Sequence, residues 1–338
     1  MMVTIGSGPG RRKGLRGAAR GDGHHRFRVR PEEATWAGPL PMGDHVGMSP
    51  IAPTILLAAG AADAEGTPDE RHLMAALRGR GVEAAMAVWD DPAVDWGRAD
   101  LVVLRTVWDY HHRLGEFLAW LHRMEELGVR VLNRPETVRW NAHKGYLAEL
   151  AAAGVPVIPT LHLGAGVGIE PEDVVAELGT LDVVVKPAVS ASADRTWRLD
   201  LGNPDHLARA VELRRRDDVL IQPHLSELAE RGETSFVLFD GEISHTGLRP
   251  AALTEGIDAT DFGVTPLEPN PAEISVVEGC MSRVAERGWD PLYARVDMVR
   301  LADGSALLAE LELIEPNLFL YVRPQAVETF ASAVLNRL

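Results

Sequence analysis

Cysteine is all but missing from this chain: Cys280 is the one thiol in 338 residues. No disulfide can form within the chain, and such usage fits a reducing cytoplasm. Cys280 lies in an apolar helical pattern (EISVVEGCMSRVAERG) and reads as packing rather than as a nucleophile. There is no Cys/His cluster of zinc-site spacing. No run approaches the ~20 apolar residues that span a bilayer, which leaves a soluble protein. Positive charge is also scarce: 34 Lys and Arg against 49 Asp and Glu leave a net charge of −15, which argues against a nucleic-acid surface. Absent too are G-x-S-x-G, G-x-x-x-x-G-K-S/T and a G-x-G-x-x-G after a strand. Serine hydrolases, P-loop NTPases and dinucleotide enzymes therefore lose ground.

What is present suits a globular enzyme of two or three domains, with 46% apolar and 25% charged residues. The first 47 residues stand apart, with eight Arg and Lys, four Asp and Glu, many glycines and little apolar periodicity. They read as a disordered basic extension, or as the product of an upstream start where Met48 is the true one. From Pro53 strands alternate with helices: PTILLAAG, DERHLMAALRGRG, VEAAMAVW, ADLVVLRT, GEFLAWLHRMEELG and VRVLN. That order predicts a parallel sheet with ligands at the carboxyl ends of its strands. The phrase RTVWDY at such an end offers Arg105, Trp108 and Asp109. Beyond Pro135 a helix around Lys144 ending at Gly154 is expected, followed by antiparallel strands and helices. The segment ETSFVLF-DG-EISHTGL is a hairpin on an Asp-Gly turn. The boundaries are drawn at 48–135, 136–221 and 222–338.

The strongest chemistry is in ARVDMVR-LADG-SALLAELELIEPN, residues 294–317. A two-residue turn at Asp303-Gly304 pairs Ala302 with Ser305, Asp297 with Glu310 and Arg295 with Glu312. Residues two apart on a strand share a face. Arg295, Asp297, Glu310 and Glu312 are thus gathered on one face, with Val296, Met298, Leu311 and Leu313 on the other. Opposed carboxylates repel, and a divalent cation relieves the repulsion, Mg²⁺ being suited to carboxylates plus phosphates. A solvated acidic hairpin is the alternative. Lys186 ends the apolar strand VVVKP before a loop of small residues (188–194) without glycine, an arrangement that suits a flap over phosphates. IQPHLSELAERGETS can expose the backbone of Gln222 to His224 to a base edge, and Glu233 to sugar hydroxyls. His111 and His112 are adjacent and expected to point apart; His143, His224 and His245 read as hydrogen-bonding neighbours of the site.

In this order, from Lys144 through VVVK, QPHL, Glu233, RVD and ELE, the pieces resemble the ATP-grasp superfamily of carboxylate–amine ligases over about residues 53–320. The glutathione-synthetase and ribosomal-protein-glutamate-ligase branch is most similar. The phrases RTVWDY, WNAHK, VVVKPAVSA and ELELIEPNLFL most resemble the group that includes the D-cycloserine-forming cyclo-ligase. The resemblance implies an ATP-grasp fold of mixed α/β and α+β class, with a Rossmann-like parallel-sheet domain before two α+β subdomains that clamp ATP. It implies Lys144 and Lys186 on phosphates, Gln222, Pro223, His224 and Leu225 at adenine, and Glu233 at ribose. Asp297, Glu310 and Glu312 would hold one or two Mg²⁺, with Mn²⁺ as a substitute, and Arg295 would face the transferring phosphoryl group. Glu312 stands where relatives often carry Asn. The loop ATDFGVTP lacks the Arg and Asn common after Asp-Phe, leaving Arg249 as the nearest basic group. Arg105, Trp108, Asp109 and Arg249 are candidates for a small amino-acid-like substrate. Neither nucleic acid nor membrane is expected as a partner, and a homodimer is the self-association considered. A nucleotide-binding protein without ligase activity, and an ATP-grasp phosphotransferase, are the competing readings.

Overall fold

The computed structural model describes residues 52–250 and 263–338. The extension at 1–47, the start at Met48 and the Asp261-Phe262 part of the loop lie outside them. The described residues belong to one compact unit. Its first sheet is parallel, in the order β2-β1-β3-β4. It contains β1 (Thr54–Ala59), α1 (Pro68–Arg78), β2 (Glu83–Val88), β3 (Leu101–Thr106), α2 (Leu114–Glu126) and β4 (Val131–Leu132). Thr67 and Glu70 close a capping box at the start of α1, with Pro68 at the first position. Strand alternation divides two cores. Ile55, Leu57, Leu101 and Val103 face α1 and the C-terminal helix, while Leu56, Ala58, Val102 and Leu104 face α2.

Where one helix around Lys144 is expected, the chain forms two, α3 (Pro135–Asn141) and α4 (Tyr146–Ala152), with Lys144 in the break. Asn141, the last residue of α3, turns its side chain to another segment of the chain. Its Nδ2 donates to the Leu311 carbonyl at 2.7 Å, and its Oδ1 accepts from Leu313 N at 2.7 Å.

The second sheet is antiparallel, in the order β5-β8-β6-β7. It is formed from β5 (Leu161–Leu163), α5 (Pro171–Leu178), β6 (Asp182–Pro187), β7 (Trp197–Asp200), α6 (Pro204–Arg214) and β8 (Val219–Pro223). Val183, Val185, Leu199 and Ile221 pack under α5 and α6. By alternation Val184, Lys186 and Gln222 emerge on the opposite face, where all three line a cavity.

After the short α7 (Ser226–Arg231) comes the third sheet, in the order β11-β10-β9-β12-β13. Its elements are β9 (Glu233–Phe239), β10 (Glu242–Arg249), β11 (Thr265–Pro266), α8 (Pro271–Glu286), β12 (Tyr293–Arg300) and β13 (Ala306–Glu312). The chain closes with α9 (Ala326–Leu335), laid against α1. Phe236, Leu238, Val296, Met298 and Leu311 bury themselves under α4 and α8, beside Cys280, whose thiol burial pushes up to about 12. The Asp-Gly turn joining β9 to β10 has both residues left-handed, Asp240 at φ 49° and Gly241 at 82°.

The β12–β13 hairpin differs from expectation near its tip and agrees at the site. Leu301 N donates to Ser305 O at 2.8 Å, so the loop has three residues instead of two, and Arg300 pairs with Ala306. A bulge at Ala309 then removes the one-residue offset. Asp297 opposes Glu310 and Arg295 opposes Glu312, the pairs the shorter turn implies. Among the described residues no helix is long and apolar enough to cross a membrane.

Candidate active site

A cavity of about 1000 Å³ separates the free face of the second sheet from the polar face of the third. Lys144, Lys186, Gln222, Pro223, Leu225, Glu233, Arg249, Arg295, Glu310 and Glu312 line it, and so does Trp108 from the turn after β3. Asp297 lies behind them, with no exposed surface. Burying so many charges is tolerable only if each finds a counter-charge, and nearly all do. Asp297 accepts from Arg295 Nε at 3.0 Å and Ser235 Oγ at 2.7 Å through Oδ1, and from Arg249 Nη2 at 2.9 Å through Oδ2. Arg295 also donates to Glu312 and, at 3.0 Å, to the Asn317 carbonyl. Arg249 reaches Glu233 at 2.6 Å. Lys144 Nζ sits 3.0 Å from Glu310 Oε1 and donates to the Ser190 carbonyl in the loop after β6.

Local backbone chemistry puts these groups in place. Gly232 has φ 82°, and a Cβ there would lie 2.3 Å from the Arg249 carbonyl oxygen. Only glycine lets Glu233 start β9 directly opposite Arg249. The loop after β6 contains no glycine, yet Ser192, Ala193 and Arg195 all have φ of 50–55°, a conformation that costs each of them energy.

The ionisation states follow from this network. Burial opposes ionisation of Asp297, but Arg295 and Arg249 overcome it and hold the group at about 2. Burial likewise opposes Glu310, and Lys144 and Lys186 bring it below the usual range. Glu312 is different. Burial pushes it up to about 7; Arg295 offsets this in part while Asp297 and Glu310 add repulsion. Burial raises Glu233 and lowers the Lys186 ammonium.

Because the Glu312 carboxyl is raised above its ordinary 4.5, the folded protein holds that proton more tightly than the unfolded chain. Its contribution to stability is full below about pH 4.5 and falls as pH climbs through about 7. Thermal midpoints taken from about pH 5 to about pH 8 should therefore decline more in the wild type than in Glu312→Gln. Metal-nucleotide binding near neutrality should release a proton, seen by calorimetry in buffers of different ionisation enthalpy, and this release should be absent from the variant.

Arg105 and Asp109 are not brought to the cavity wall. Arg105 is 2% exposed, paired with Glu70 at 2.9 Å, and directs two nitrogens at the Pro316 carbonyl, each at 3.4 Å. Asp109 accepts from Trp89 Nε1 at 3.0 Å and pairs with Arg113 at 2.7 Å. His224 also turns away, its amide donating to the Asp182 carbonyl at 3.0 Å. Trp108 does reach the cavity, but its indole N–H donates to the Glu315 carbonyl at 2.9 Å. Breaking the Arg105–Glu70 pair strands a buried carboxylate, so Arg105→Gln should cost about 3–5 kcal/mol in chemical denaturation while ATP affinity stays near wild type.

His111 and His112 do not point apart. They sit on one turn of 3₁₀ helix with ring centroids 3.9 Å apart, and His111 Nε2 is 3.7 Å from Asp194. Sequence reasoning passed over Asp63, Asp69 and His72 on the cavity wall, and also Glu315, which lines it 8% exposed. Glu315 lies past the end of β13, where alternation gives no guide; the one local signal is Pro316, which biases the residue before it toward extended backbone.

A parallel-sheet domain followed by two antiparallel sheets, with Lys186 on one, an Arg-x-Asp/Glu-x-Glu face on the other and Lys144 from a helix break beside them, is the architecture of the ATP-grasp ligases. The D-alanine–D-alanine ligase of Bacillus anthracis complexed with ATP superposes on this fold with a TM-score of 0.59 at 16% identity, over 84% of this chain and 95% of that one. Residues 55–133 match the family described as the N-terminal domain of D-cycloserine synthetase DcsG. Over 283 residues the chain is 34% identical to the cycloserine biosynthesis protein DcsG of Streptomyces lavendulae, covering 80% of this chain and 94% of that protein. The crystal structure of D-cycloserine synthetase DcsG matches with a TM-score of 0.77 and 31% identity, over 84% of this chain and 99% of that one. The chain belongs to the D-cycloserine synthetase family, and it is an ATP-dependent carboxylate–amine ligase.

Proposed function

We propose that this ligase closes a ring within one amino-acid-like substrate, as a cycloserine-forming cyclo-ligase. The ATP chemistry is carried by the face shared by Arg295, Asp297, Glu310 and Glu312, with Lys144 and Lys186 lining the same cavity, and the similarity to D-cycloserine synthetase supports ring closure. The donor set fits hard divalent cations. Asp297, Glu310 and Glu312 supply only carboxylate oxygens, suited to Mg²⁺ or Mn²⁺, and the metal would neutralise the triphosphate. Lys144 and Lys186 take phosphate oxygens, Gln222, Pro223 and Leu225 with the neighbouring His224 segment flank adenine, and Glu233 accepts from ribose. Arg249 and Arg295 stabilise the charge developing on the transferred phosphoryl group.

The chemistry then needs positioning rather than a protein nucleophile. A substrate carboxylate oxygen attacks the γ-phosphorus and ADP leaves. A substrate nitrogen next attacks the acyl carbon, phosphate departs with the C–O electrons, and the nitrogen loses its proton. The arginines that now pair with Asp297, Glu233 and Glu312 would be free to bind phosphate if a metal took over Asp297 and Glu312 and ribose took over Glu233. A cytoplasmic setting, where ATP is plentiful, suits such a reaction.

The test is ADP release by the full-length protein with Mg²⁺ over a panel of amino acids, dipeptides and ureido-amino acids, with hydroxylamine as an acyl trap. The expected result is ADP release with a ureido-amino acid and hydroxamate in the presence of the trap. Nucleotide binding without turnover across the panel would overturn the ligase reading. ADP release that never gives hydroxamate would indicate a different phosphoryl acceptor.

A further inference from the structure

Two ionisable groups of the cavity have no partner among the described residues: Lys186, assigned above to phosphate, and Glu315, which has no role yet. Asp297, Glu233, Glu310 and Glu312 each touch a cation. Glu315 touches none: its carboxyl group makes no ion pair and accepts no hydrogen bond from any described residue, although it is 8% exposed and lines the cavity, and burial together with the nearby Glu312 holds its pKa well above the ordinary carboxyl range until a cation arrives. A buried polar group without a partner calls for an explanation.

Its backbone makes the contrast sharper. Four successive carbonyls around it are each held by a side chain from another element. Ile314 O shares the Tyr293 hydroxyl with Leu104 O, at 2.7 and 2.6 Å, and Glu315 O accepts from Trp108 Nε1 at 2.9 Å. Pro316 O faces Arg105, both nitrogens at 3.4 Å, and Asn317 O accepts from Arg295 Nη1 at 3.0 Å. Pro316 fixes the chain further. Such support is what a preorganised site requires, yet the side chain it presents is unpaired. A segment fastened at four points does not leave a carboxylate in a low-dielectric cavity by accident of mobility. The indole of Trp108, lining the same cavity, adds a π surface of the kind that flanks cations.

We propose that Glu315 receives the ammonium group of the amino-acid substrate. The assignment rests on the ligase reading and adds the substrate's charge pattern to it: a primary ammonium on the carbon bearing the reacting carboxylate, or one carbon removed. The ammonium supplies the missing counter-charge and its hydrogen-bond donors, while the carboxylate projects toward the Arg249 and Arg295 side of the cavity. Glu315 is a binding residue, and it fixes which end of the substrate meets the phosphoryl group.

The test uses the full-length protein with Mg²⁺ and a non-hydrolysable ATP analogue. Calorimetry compares D-serine with 3-hydroxypropanoate, which has the same skeleton without the ammonium group. Wild type should bind D-serine more tightly. Glu315→Gln, of the same shape, should lose roughly ten- to a hundredfold in D-serine affinity, and should leave 3-hydroxypropanoate and the nucleotide analogue unchanged. Glu315→Asp, which keeps the charge, should recover part of the loss. Four outcomes overturn the proposal: no preference for D-serine in the wild type, no measurable binding of either acid, an equal loss for both acids in Glu315→Gln, or a weakened Mg²⁺-nucleotide affinity in that variant. The last would make Glu315 a metal ligand. ADP release is scored separately, so a chain that binds amino acids through Glu315 without turnover fails the ligase reading alone.

Discussion

Asp297→Asn and Glu310→Gln should each slow ADP release by roughly 10²–10³-fold, with thermal midpoints close to that of the wild type. The expectation comes from the distribution of charge. Both carboxylates lie on the polar face of the third sheet, directly opposed across β12 and β13. Each is held ionised by cations, Asp297 by Arg295 and Arg249, Glu310 by Lys144 and Lys186. An amide at either position keeps the shape and one accepting oxygen but removes the negative charge that a metal-bound triphosphate requires. Stability should survive because no cation is orphaned. Arg295 retains Glu312, Arg249 retains Glu233, and Lys144 retains the Ser190 carbonyl. The cost is therefore well short of the about 3–5 kcal/mol for a buried partner left alone. A coupled ADP assay and a thermal melt on each variant suffice. Near-normal rates in both would remove these carboxylates from the reaction.

The polar face of that hairpin was legible because strand parity is short-ranged and strict, and the four charged residues obey it. The register was right at the site for an incomplete reason. Parity cannot see a bulge, and Ala309 compensates for a longer turn that the Asp-Gly signal does not distinguish from a two-residue one. What stayed illegible depends on chain segments distant in sequence. Arg105 and Trp108 stand at a strand end where ligands usually bind, yet both are engaged by the backbone of residues 315–316 more than 200 positions later. No local pattern reports which segment will pass there. For the same reason periodicity draws as continuous a helix that stops after Asn141, whose side-chain partners, Leu311 and Leu313, come some 170 positions later. Glu315 escaped notice because its importance lies in lacking a contact. The 3₁₀ turn that brings the His111 and His112 rings side by side shows a third failing, for adjacent residues diverge only where the backbone is regular.

Lys186→Met should make the protein more stable without nucleotide while largely abolishing its activity. β6 alternates so that Val183 and Val185 enter the core and Lys186 emerges toward the cavity. There its ammonium forms no ion pair or hydrogen bond with any described residue, and burial lowers its proton affinity, with Glu310 only partly opposing. The folded state thus bears a desolvation cost. Because the folded value lies below the ordinary 10.5, the cost is full at neutral pH and fades as pH approaches that value. Methionine has similar length and no charge to desolvate, so the apo variant should melt higher than wild type. A triphosphate reverses the balance, because phosphate oxygens supply the partner that the lysine lacks. Mg²⁺ and a non-hydrolysable ATP analogue should then raise the wild-type midpoint much more than the variant's, through preferential binding to the folded state. Turnover should fall by roughly 10²-fold or more. The order of the two melting temperatures should consequently invert when nucleotide is added. A variant that is less stable without nucleotide, or a nucleotide-induced rise equal in both proteins, would show that Lys186 serves the fold instead of the phosphates.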